Sequence, residues 1–146
     1  MDKIQNVKQL EGFQEELRAL YDRQSVHVLV IESDNLSRRI VESVFQKLGF
    51  TNVVKMESGK EFLNELVNSS DTLVIWYEFK QGDPVLEILL KIIPTISQDK
   101  SVIAMFSGSA DDKETLAKVL QYNHKNIFIK PLDTKTVESK LLEFFK

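Results

Sequence analysis

The sequence predicts an α/β protein with a doubly wound, five-stranded parallel sheet and helices on both faces of that sheet. Short apolar runs alternate along residues 26–145 with longer segments whose apolar residues recur at steps of three and four. Short apolar runs are typical of strands buried on both faces, and apolar residues at steps of three and four are typical of a helix with one buried face. Right-handed crossovers between parallel strands then place the helices on both sides, the arrangement called flavodoxin-like.

Each element has its own local signal. Apolar and β-branched runs predict strands over residues 26–31, 52–56, 72–77, 101–106 and 127–129. Helical spacing predicts helices over residues 35–48, 58–67, 85–93, 111–121 and 135–145. Gly49 is expected to stop the first helix, and Ser58 and Asp133 are expected to cap two others.

Residues 1–24 read as a helical extension ahead of a domain at residues 25–146. The apolar residues of this extension follow one another at steps of three and four: Ile4, Val7, Leu10, Phe13, Leu17 and Leu20. This spacing predicts an extra N-terminal helix, but the steps do not make a clean heptad. The pattern is equally compatible with packing on its own domain and with a homodimer formed through this helix.

Composition excludes several classes of function. A chain of 146 residues is long enough for one domain with a real core. It has no cysteine, which excludes disulfides and thiolate metal sites and fits a reducing compartment, so we expect a cytoplasmic protein. A net charge of −3 argues against a nucleic-acid partner, and the absence of a long uncharged stretch argues against a membrane span.

Residues 26–145 resemble a receiver domain, the phosphate-accepting module of bacterial two-component response regulators. The resemblance rests on the order of the elements and on four short motifs. These are the polar start of the first helix at residues 33–38, Gly82 after the third strand, Ser107-Gly108 after the fourth and Lys130-Pro131 after the fifth. We expect that last peptide bond to be cis, as an X-Pro bond permits.

The resemblance implies a phosphorylation pocket at the carboxyl ends of the strands. In that family two carboxylates and an acceptor aspartate hold Mg²⁺, and a hydroxyl and a lysine bind the transferred phosphoryl group. The matching positions here are Glu32, Ser33, Tyr77, Ser107 and Lys130. Glu32 and Tyr77 are 45 positions apart and Tyr77 and Ser107 are 30 apart, intervals similar to those of the family. From Ser107 to Lys130 is 23 positions, one more than is usual there.

Two of these positions have lost the required chemistry. Ser33 stands where the second carboxylate belongs, and Tyr77 stands in place of the nucleophilic aspartate. A phenol with a pKa of about 10 is a weak nucleophile, and its ring is expected to fill the cavity of metal and phosphate. The sequence therefore predicts a degenerate pocket in a pseudo-receiver, with no catalytic activity, no cofactor and no bound Mg²⁺.

The remaining polar residues have structural interpretations. Lys130 is expected to pair with Glu32 across the pocket. A cation site formed by Glu32, Asp34 and Asp83 is the alternative to helix capping by these acids, and capping is the expected role. Glu78 would be the acceptor only if the third strand slipped by one residue. That slip breaks both intervals and reverses the side of the strand that the residue faces, so we expect Glu78 on the surface beside the pocket.

Three functions are compatible with these residues. The first is a signalling module that binds partner proteins, such as a sensor kinase or a downstream effector, without being phosphorylated. Relatives in the family dock partners through a face that corresponds to residues 111–145, where Tyr122, Ile127 and Phe145 are expected to be exposed; Ile127 also stands where the family often has a switching aromatic. The second is an atypical receiver that is still phosphorylated in a phosphorelay. The third is a flavodoxin-like nucleotide or flavin binder, although residues 33–39 lack the glycines of a phosphate-cradling loop.

Overall fold

A computed structural model describes residues 23–68, 73–99, 102–122 and 126–145. Of the predicted N-terminal helical extension, residues 1–24, this part contains only Arg23 and Gln24, which are helical; the other residues of the extension lie outside it. The described chain contains five strands: β1 (His27–Ile31), β2 (Asn52–Lys55), β3 (Leu73–Glu78), β4 (Val102–Ser109) and β5 (Ile127–Lys130). Five helices alternate with them: α1 (Asn35–Lys47), α2 (Gly59–Asn68), α3 (Pro84–Asp99), α4 (Lys113–Tyr122) and α5 (Thr134–Phe144). Among these described helices, none combines the length and apolarity that crossing a membrane requires.

The strands form one parallel sheet in the order β2-β1-β3-β4-β5. This order and the alternation with helices confirm the predicted doubly wound, flavodoxin-like fold class. β3 occupies the centre and is apolar and buried from Leu73 to Tyr77, as expected of a strand covered on both faces.

Successive residues of β3 point to opposite sides of the sheet and enter two separate cores. On one side Ile75 and Tyr77 belong to a cluster that includes residues of α2, α3 and α4. On the other side Val74 and Trp76 belong to a cluster that includes residues of α1 and α5. The side on which a β3 residue lies therefore decides which helices it meets.

Two elements run three or more residues further than the sequence predicts. α3 continues through Pro94 to Asp99 instead of ending at residue 93. β4 continues past Phe106 to Ser109 because its last residues pair with β5, with Ser107 opposite Phe128. Ser107 therefore lies within a strand, and its carbonyl accepts a hydrogen bond of 2.7 Å from the backbone N–H of Phe79.

The expected helix caps are present. The carboxylate of Asp34 accepts hydrogen bonds from the backbone N–H groups of Leu36 and Ser37 at the start of α1. Ser58 accepts from the N–H of Glu61, and Asp133 accepts from the N–H of Thr136. Each cap satisfies donors that the first turn of a helix leaves free.

Arg23 joins the chain that enters the sheet to the far ends of α1 and α5. One guanidinium nitrogen donates to the carbonyl of Leu48 at 2.7 Å, and another donates to the carbonyl of Phe145 at 2.6 Å. The guanidinium carbon lies 5.9 Å from the centre of the Phe50 ring. We call this set of contacts the Arg23 clasp.

Candidate functional site

The carboxyl ends of four strands bring the polar residues of the site together. In the sheet register Ile31 lies opposite Tyr77, and Glu78 lies opposite Ser107. Glu32 follows β1 directly, so the register places it beside Glu78 at the end of β3. Lys130 at the end of β5 reaches this group, and the Lys130-Pro131 peptide bond is cis, as predicted.

Glu32 is the buried centre of the group, with a side chain that is fully shielded from solvent. Its Oε1 accepts a hydrogen bond of 2.8 Å from Nε1 of Trp76 and a short hydrogen bond from the hydroxyl of Ser107. Its Oε2 lies 2.7 Å from Nζ of Lys130. The expected ion pair between Lys130 and Glu32 is therefore present.

Glu78 lies within the site, and the expectation that it would sit on the surface beside the pocket was wrong. Its side chain is only 11% exposed, and its Oε2 forms a short ion pair with Nζ of Lys130. Its Oε1 accepts hydrogen bonds from the backbone N–H and the hydroxyl of Ser33, at 3.1 and 2.8 Å. Nζ of Lys80 lies 3.6 Å from the same oxygen. The physical reason is strand alternation, which turns Glu78 to the same side of the sheet as Trp76.

Lys130 thus lies between two carboxylates, and these contacts shift the titration of Lys130 and of Glu78. Burial alone would raise the pKa of Glu78, but hydrogen bonds from Lys130 and Ser33 outweigh burial and lower this pKa below its usual value. Burial alone would lower the pKa of Lys130, but hydrogen bonds to Glu32 and Glu78 outweigh it and raise the pKa. At neutral pH Lys130 is therefore a cation and Glu78 is an anion.

Tyr77 faces away from Lys130, so its ring does not fill the space beside the lysine as the sequence predicted. The ring packs edge-to-face on Phe62, with the ring centres 5.2 Å apart, on the side of α2 and α3. Its hydroxyl donates a hydrogen bond of 2.5 Å to Oδ2 of Asp83. Burial, reinforced by this hydrogen bond, raises the pKa of Tyr77 far above its ordinary value, so the phenol stays protonated at neutral pH. The carboxylate of Glu78 is the group that fills the space beside the lysine.

Asp34 and Asp83 hold the starts of helices. In addition to its backbone contacts, Asp34 accepts a hydrogen bond of 2.7 Å from the hydroxyl of Ser37, which is the main reason why the pKa of Asp34 is lowered. Asp83 accepts from the backbone N–H of Val85 at 3.0 Å. Because the carboxylate of Asp34 already accepts from the N–H groups of Leu36 and Ser37, these two donors at the start of α1 are not available to a nucleotide phosphate. No group of three or more His, Asp or Glu residues in the described chain is arranged to hold a metal ion.

A cavity of about 420 Å³ opens beside the site. Its wall includes Ser33 and Lys80 of the polar group, together with Met56 and Ser58 from the segment between β2 and α2. Both Tyr77 and Glu78 border this cavity, from the two sides of β3. The site is therefore reached from solvent at the Glu78 end, whereas Ser107 is fully buried.

The position of the family's switching aromatic is filled differently. Ile127 is buried in the cluster under α2, α3 and α4. The aromatic residue next to it, Phe128, faces the other side of the sheet and packs against Trp76 with ring centres 4.5 Å apart. On the same side of the sheet as Ile127, Phe79 lies so close to Gly108 that a Cβ atom on residue 108 would overlap the ring of Phe79.

The residues expected to form the partner face are only partly placed as predicted. Ile127 is 7% exposed, and Phe145 is half-buried against Phe45 and Phe50, because both complete the core. The side chain of Tyr122 lies outside the described part of the chain. The large apolar side chains that are exposed on α4, β5 and α5 are others: Leu120, Ile129, Leu142 and Phe144.

Three members of the site were not predicted from the sequence: Trp76, Glu78 and Lys80. The usable signal was the sheet register. Tyr77 at the expected acceptor position lies opposite Ile31, so the carboxylate that follows β1 must meet the residue that follows Tyr77. The number of residues between two positions does not tell to which side of the sheet each side chain points. In β3 this direction differs between Tyr77 and Glu78, which face opposite sides.

Comparison with known proteins shows the fold of response-regulator receiver domains. Over 114 residues the chain is 23% identical to the chemotaxis protein CheY1 of Helicobacter pylori, a match that covers 78% of this chain and 92% of that protein. No family model matches the chain.

Two solved structures give the same result. A signal receiver domain of a two-component histidine kinase from Clostridium thermocellum superimposes with a TM-score of 0.62 and 19% identity, covering 84% of this chain and 98% of that one. The pseudo-receiver domain of the CikA protein superimposes with a TM-score of 0.54 and 21% identity, covering 82% of this chain and 97% of that one. At these identities the likeness concerns the architecture, and the function has to be argued from the site.

Proposed function

We propose that this chain is a pseudo-receiver, a signalling module that acts through protein–protein contacts without being phosphorylated. The observation that carries the proposal is the state of Lys130. In a working receiver the lysine must be able to meet an incoming phosphoryl group, but here Glu32 and Glu78 both contact its ammonium. An incoming anion would have to displace a carboxylate from a contact that is largely shielded from water.

The residue at the acceptor position supports the same conclusion. Tyr77 lies on the other side of β3 from Lys130, and its hydroxyl is already bonded to Asp83. Since the pKa of Tyr77 is raised, the phenolate needed for attack on phosphorus is not formed at neutral pH. Ser33 supports the proposal as well, because a neutral hydroxyl is a poor ligand for Mg²⁺ and its oxygen already accepts a hydrogen bond of 2.9 Å from Lys80.

We further propose that the partner surface is made of the exposed apolar residues of α4, β5 and α5, defined here as Leu120, Ile129, Leu142 and Phe144. Each of these side chains is more than 40% exposed. They flank the edge strand β5, whose outer side pairs with no other strand of the described sheet. The partners are signalling proteins, either a sensor kinase or a downstream effector.

The absence of phosphorylation is tested by intact-mass measurement. Incubation of the whole chain with acetyl phosphate and Mg²⁺ is expected to leave its mass unchanged. A response regulator with an intact acceptor aspartate, treated in the same tube, gains the mass of one phosphoryl group and serves as the positive control. A stable gain by this chain that hydroxylamine removes, as expected of an acyl phosphate, would end the proposal.

The partner surface is tested by matched substitutions at the two edges of the sheet. Ile129→Asp places a charge on β5 within the partner surface, and Val54→Asp places one on β2 at the opposite edge. Both side chains are exposed, so both variants are expected to fold like the native chain. Signalling proteins that are recovered with the native chain and with Val54→Asp, but lost with Ile129→Asp, support the surface; equal recovery with both variants contradicts it.

One observation favours a second candidate, an atypical receiver that accepts a phosphoryl group on Glu78. Its carboxylate lies beside Lys130 at the end of the central strand and borders an open cavity. In that reaction an oxygen of Glu78 would attack phosphorus and acetate would leave from acetyl phosphate. The same mass measurement decides between the candidates, since Glu78→Gln abolishes any gain in mass that depends on this carboxylate.

A further inference from the structure

The carboxylate of Glu78 is held by donors from three separate parts of the chain. Ser33 contributes a backbone N–H and a hydroxyl from the segment after β1, and Lys130 contributes an ammonium from the end of β5. Lys80, two residues after Glu78, places a second ammonium 3.6 Å from Oε1 and also donates to the hydroxyl of Ser33 at 2.9 Å.

This set of donors has the composition of an oxoanion site. Backbone N–H groups, hydroxyls and ammonium groups converging on one point are what proteins use to bind phosphate, sulfate and carboxylate. Glu78 supplies two oxygens at that point, one to Lys130 and one to Ser33. Because the cavity beside the site reaches Glu78, the point is accessible to a small solute once the side chain is shortened.

We propose that Ser33, Lys80 and Lys130 form a binding site for a small oxoanion, and that in the native protein Glu78 fills this site as an internal ligand. The inference rests on the proposed function in one respect: the internal ligand explains why the pocket does not admit a phosphoryl group. The proposed binding differs from phosphorylation because it is non-covalent and transfers no group to the protein.

The local charge decides which anion the site holds. With Glu78 present, two carboxylates face Lys130 and the exposed Lys80, so the site has no net charge left to attract a solute. Without Glu78, Glu32 remains as the one carboxylate and the two ammonium groups give the site a positive excess. A divalent oxoanion such as inorganic phosphate then gains charge-assisted hydrogen bonds from the same donors.

The test is a titration of Glu78→Ala with inorganic phosphate, at ionic strength kept constant with sodium chloride. Trp76 is the only tryptophan of the chain, and it donates to Glu32 and to Ser107, so its fluorescence reports on the contacts of Lys130. Glu87→Ala is the matched control, since Glu87 also accepts from a lysine, Lys118 at 3.0 Å, but on the exposed surface of α3.

We expect phosphate to cause a saturable change of Trp76 fluorescence in Glu78→Ala. The apparent affinity for phosphate is expected to be at least tenfold higher in this variant than in the native chain or in Glu87→Ala. Adding Lys80→Met to Glu78→Ala is expected to weaken the affinity severalfold. Folded Glu78→Ala that shows no saturable response, or a native chain that responds with the same affinity, overturns the proposal.

If Glu78→Ala does not fold, Glu78→Ser keeps a hydrogen-bonding group in the polar pocket and undergoes the same titration with the same two outcomes. The result is independent of the phosphorylation test. A covalent gain of mass in the native chain would refute the pseudo-receiver, and it would leave non-covalent phosphate binding by Glu78→Ala to be judged by fluorescence.

Discussion

At the scale of single residues, the contacts of Glu78 link the stability of the protein to pH. The pKa of Glu78 in the folded chain is lowered from an ordinary value of 4.5, so its ionised form stabilises the fold at pH values above about 4.5. This contribution is lost as the pH falls through the lower pKa of the folded state. Lys130 acts in the opposite direction, since its pKa is raised from 10.5: its contribution is complete below that pH and is lost as the pH rises through the folded-state pKa.

Glu78→Gln is expected to lower the free energy of unfolding at pH 7, because the amide cannot form an ion pair with Lys130. The difference from the native chain is expected to narrow below about pH 4.5, where protonation removes the same charge from the native carboxyl. Urea denaturation at pH 7, 5 and 3 measures this difference. A difference that stays constant over the three pH values would show that the charge of Glu78 does not stabilise the fold.

Tyr77→Asp is expected to destabilise the protein without creating a phosphoacceptor. The new carboxylate would be buried in the apolar cluster against Phe62, on the side of the sheet away from Lys130, at a cost of roughly 3–5 kcal/mol. Tyr77→Phe is the control, since it removes only the hydrogen bond to Asp83 and is expected to cost about 1 kcal/mol. Denaturation curves give both values. Recovery of phosphorylation in a stable Tyr77→Asp variant would contradict the orientation described for β3.

The sequence predicted that Glu32, Ser33, Ser107 and Lys130 lie together at the carboxyl ends of the strands, but it did not predict the directions in which Tyr77 and Glu78 point. The pairing of Lys130 with Glu32 followed from their places at the carboxyl ends of parallel strands and the loss of the acceptor between them. The direction of Glu78 depends on which residue of β1 lies opposite Tyr77, and a one-residue difference in that register moves a side chain to the other face. Intervals along the chain do not contain this information.

At the scale of elements, the close contact between the end of β3 and the end of β4 leaves no room for a side chain at Gly108. Gly108→Ala is expected to lower the free energy of unfolding by about 1–3 kcal/mol, because its methyl group would overlap the ring of Phe79. In the Phe79→Leu background the smaller side chain is expected to recover part of this loss. Chemical denaturation of the two single variants and the double variant forms the cycle that measures the recovery. Strictly additive effects would show that the two residues do not interact.

The bounds of the helices and strands were predictable where a local signal such as a capping residue sets them. They were less predictable where pairing with another element sets them. Asp34, Ser58 and Asp133 cap the helices that follow them, as expected from side chains that bond to nearby backbone. β4 extends beyond its apolar run because β5 offers hydrogen bonds to Ser107 and Gly108. A polar, glycine-containing segment carries no local signal for a strand, so this extension could not be read from the sequence.

At the scale of the whole molecule, the Arg23 clasp holds the beginning of the described chain against its end. Arg23→Ala removes two hydrogen bonds from a charged donor to part-buried carbonyls and is expected to cost about 1.5–3 kcal/mol. Arg23→Lys is expected to lose most of the same amount, because a single ammonium cannot reproduce the fork that reaches both Leu48 and Phe145. Thermal unfolding followed by circular dichroism compares the variants. A lysine variant as stable as the native chain would show that charge, and not the fork, is what matters.

The two outer strands of the sheet are its shortest, and this has a consequence for how strongly the protein tends to aggregate. β2 and β5 have four residues each, and each ends in a lysine, Lys55 and Lys130. Such short edges give a second molecule few backbone groups to pair with, and the exposed Lys55 adds a charge to one of them, so aggregation in concentrated samples is restrained. The side chains of Val54 on β2 and Ile129 on β5 can therefore be exposed to solvent without promoting the formation of fibres.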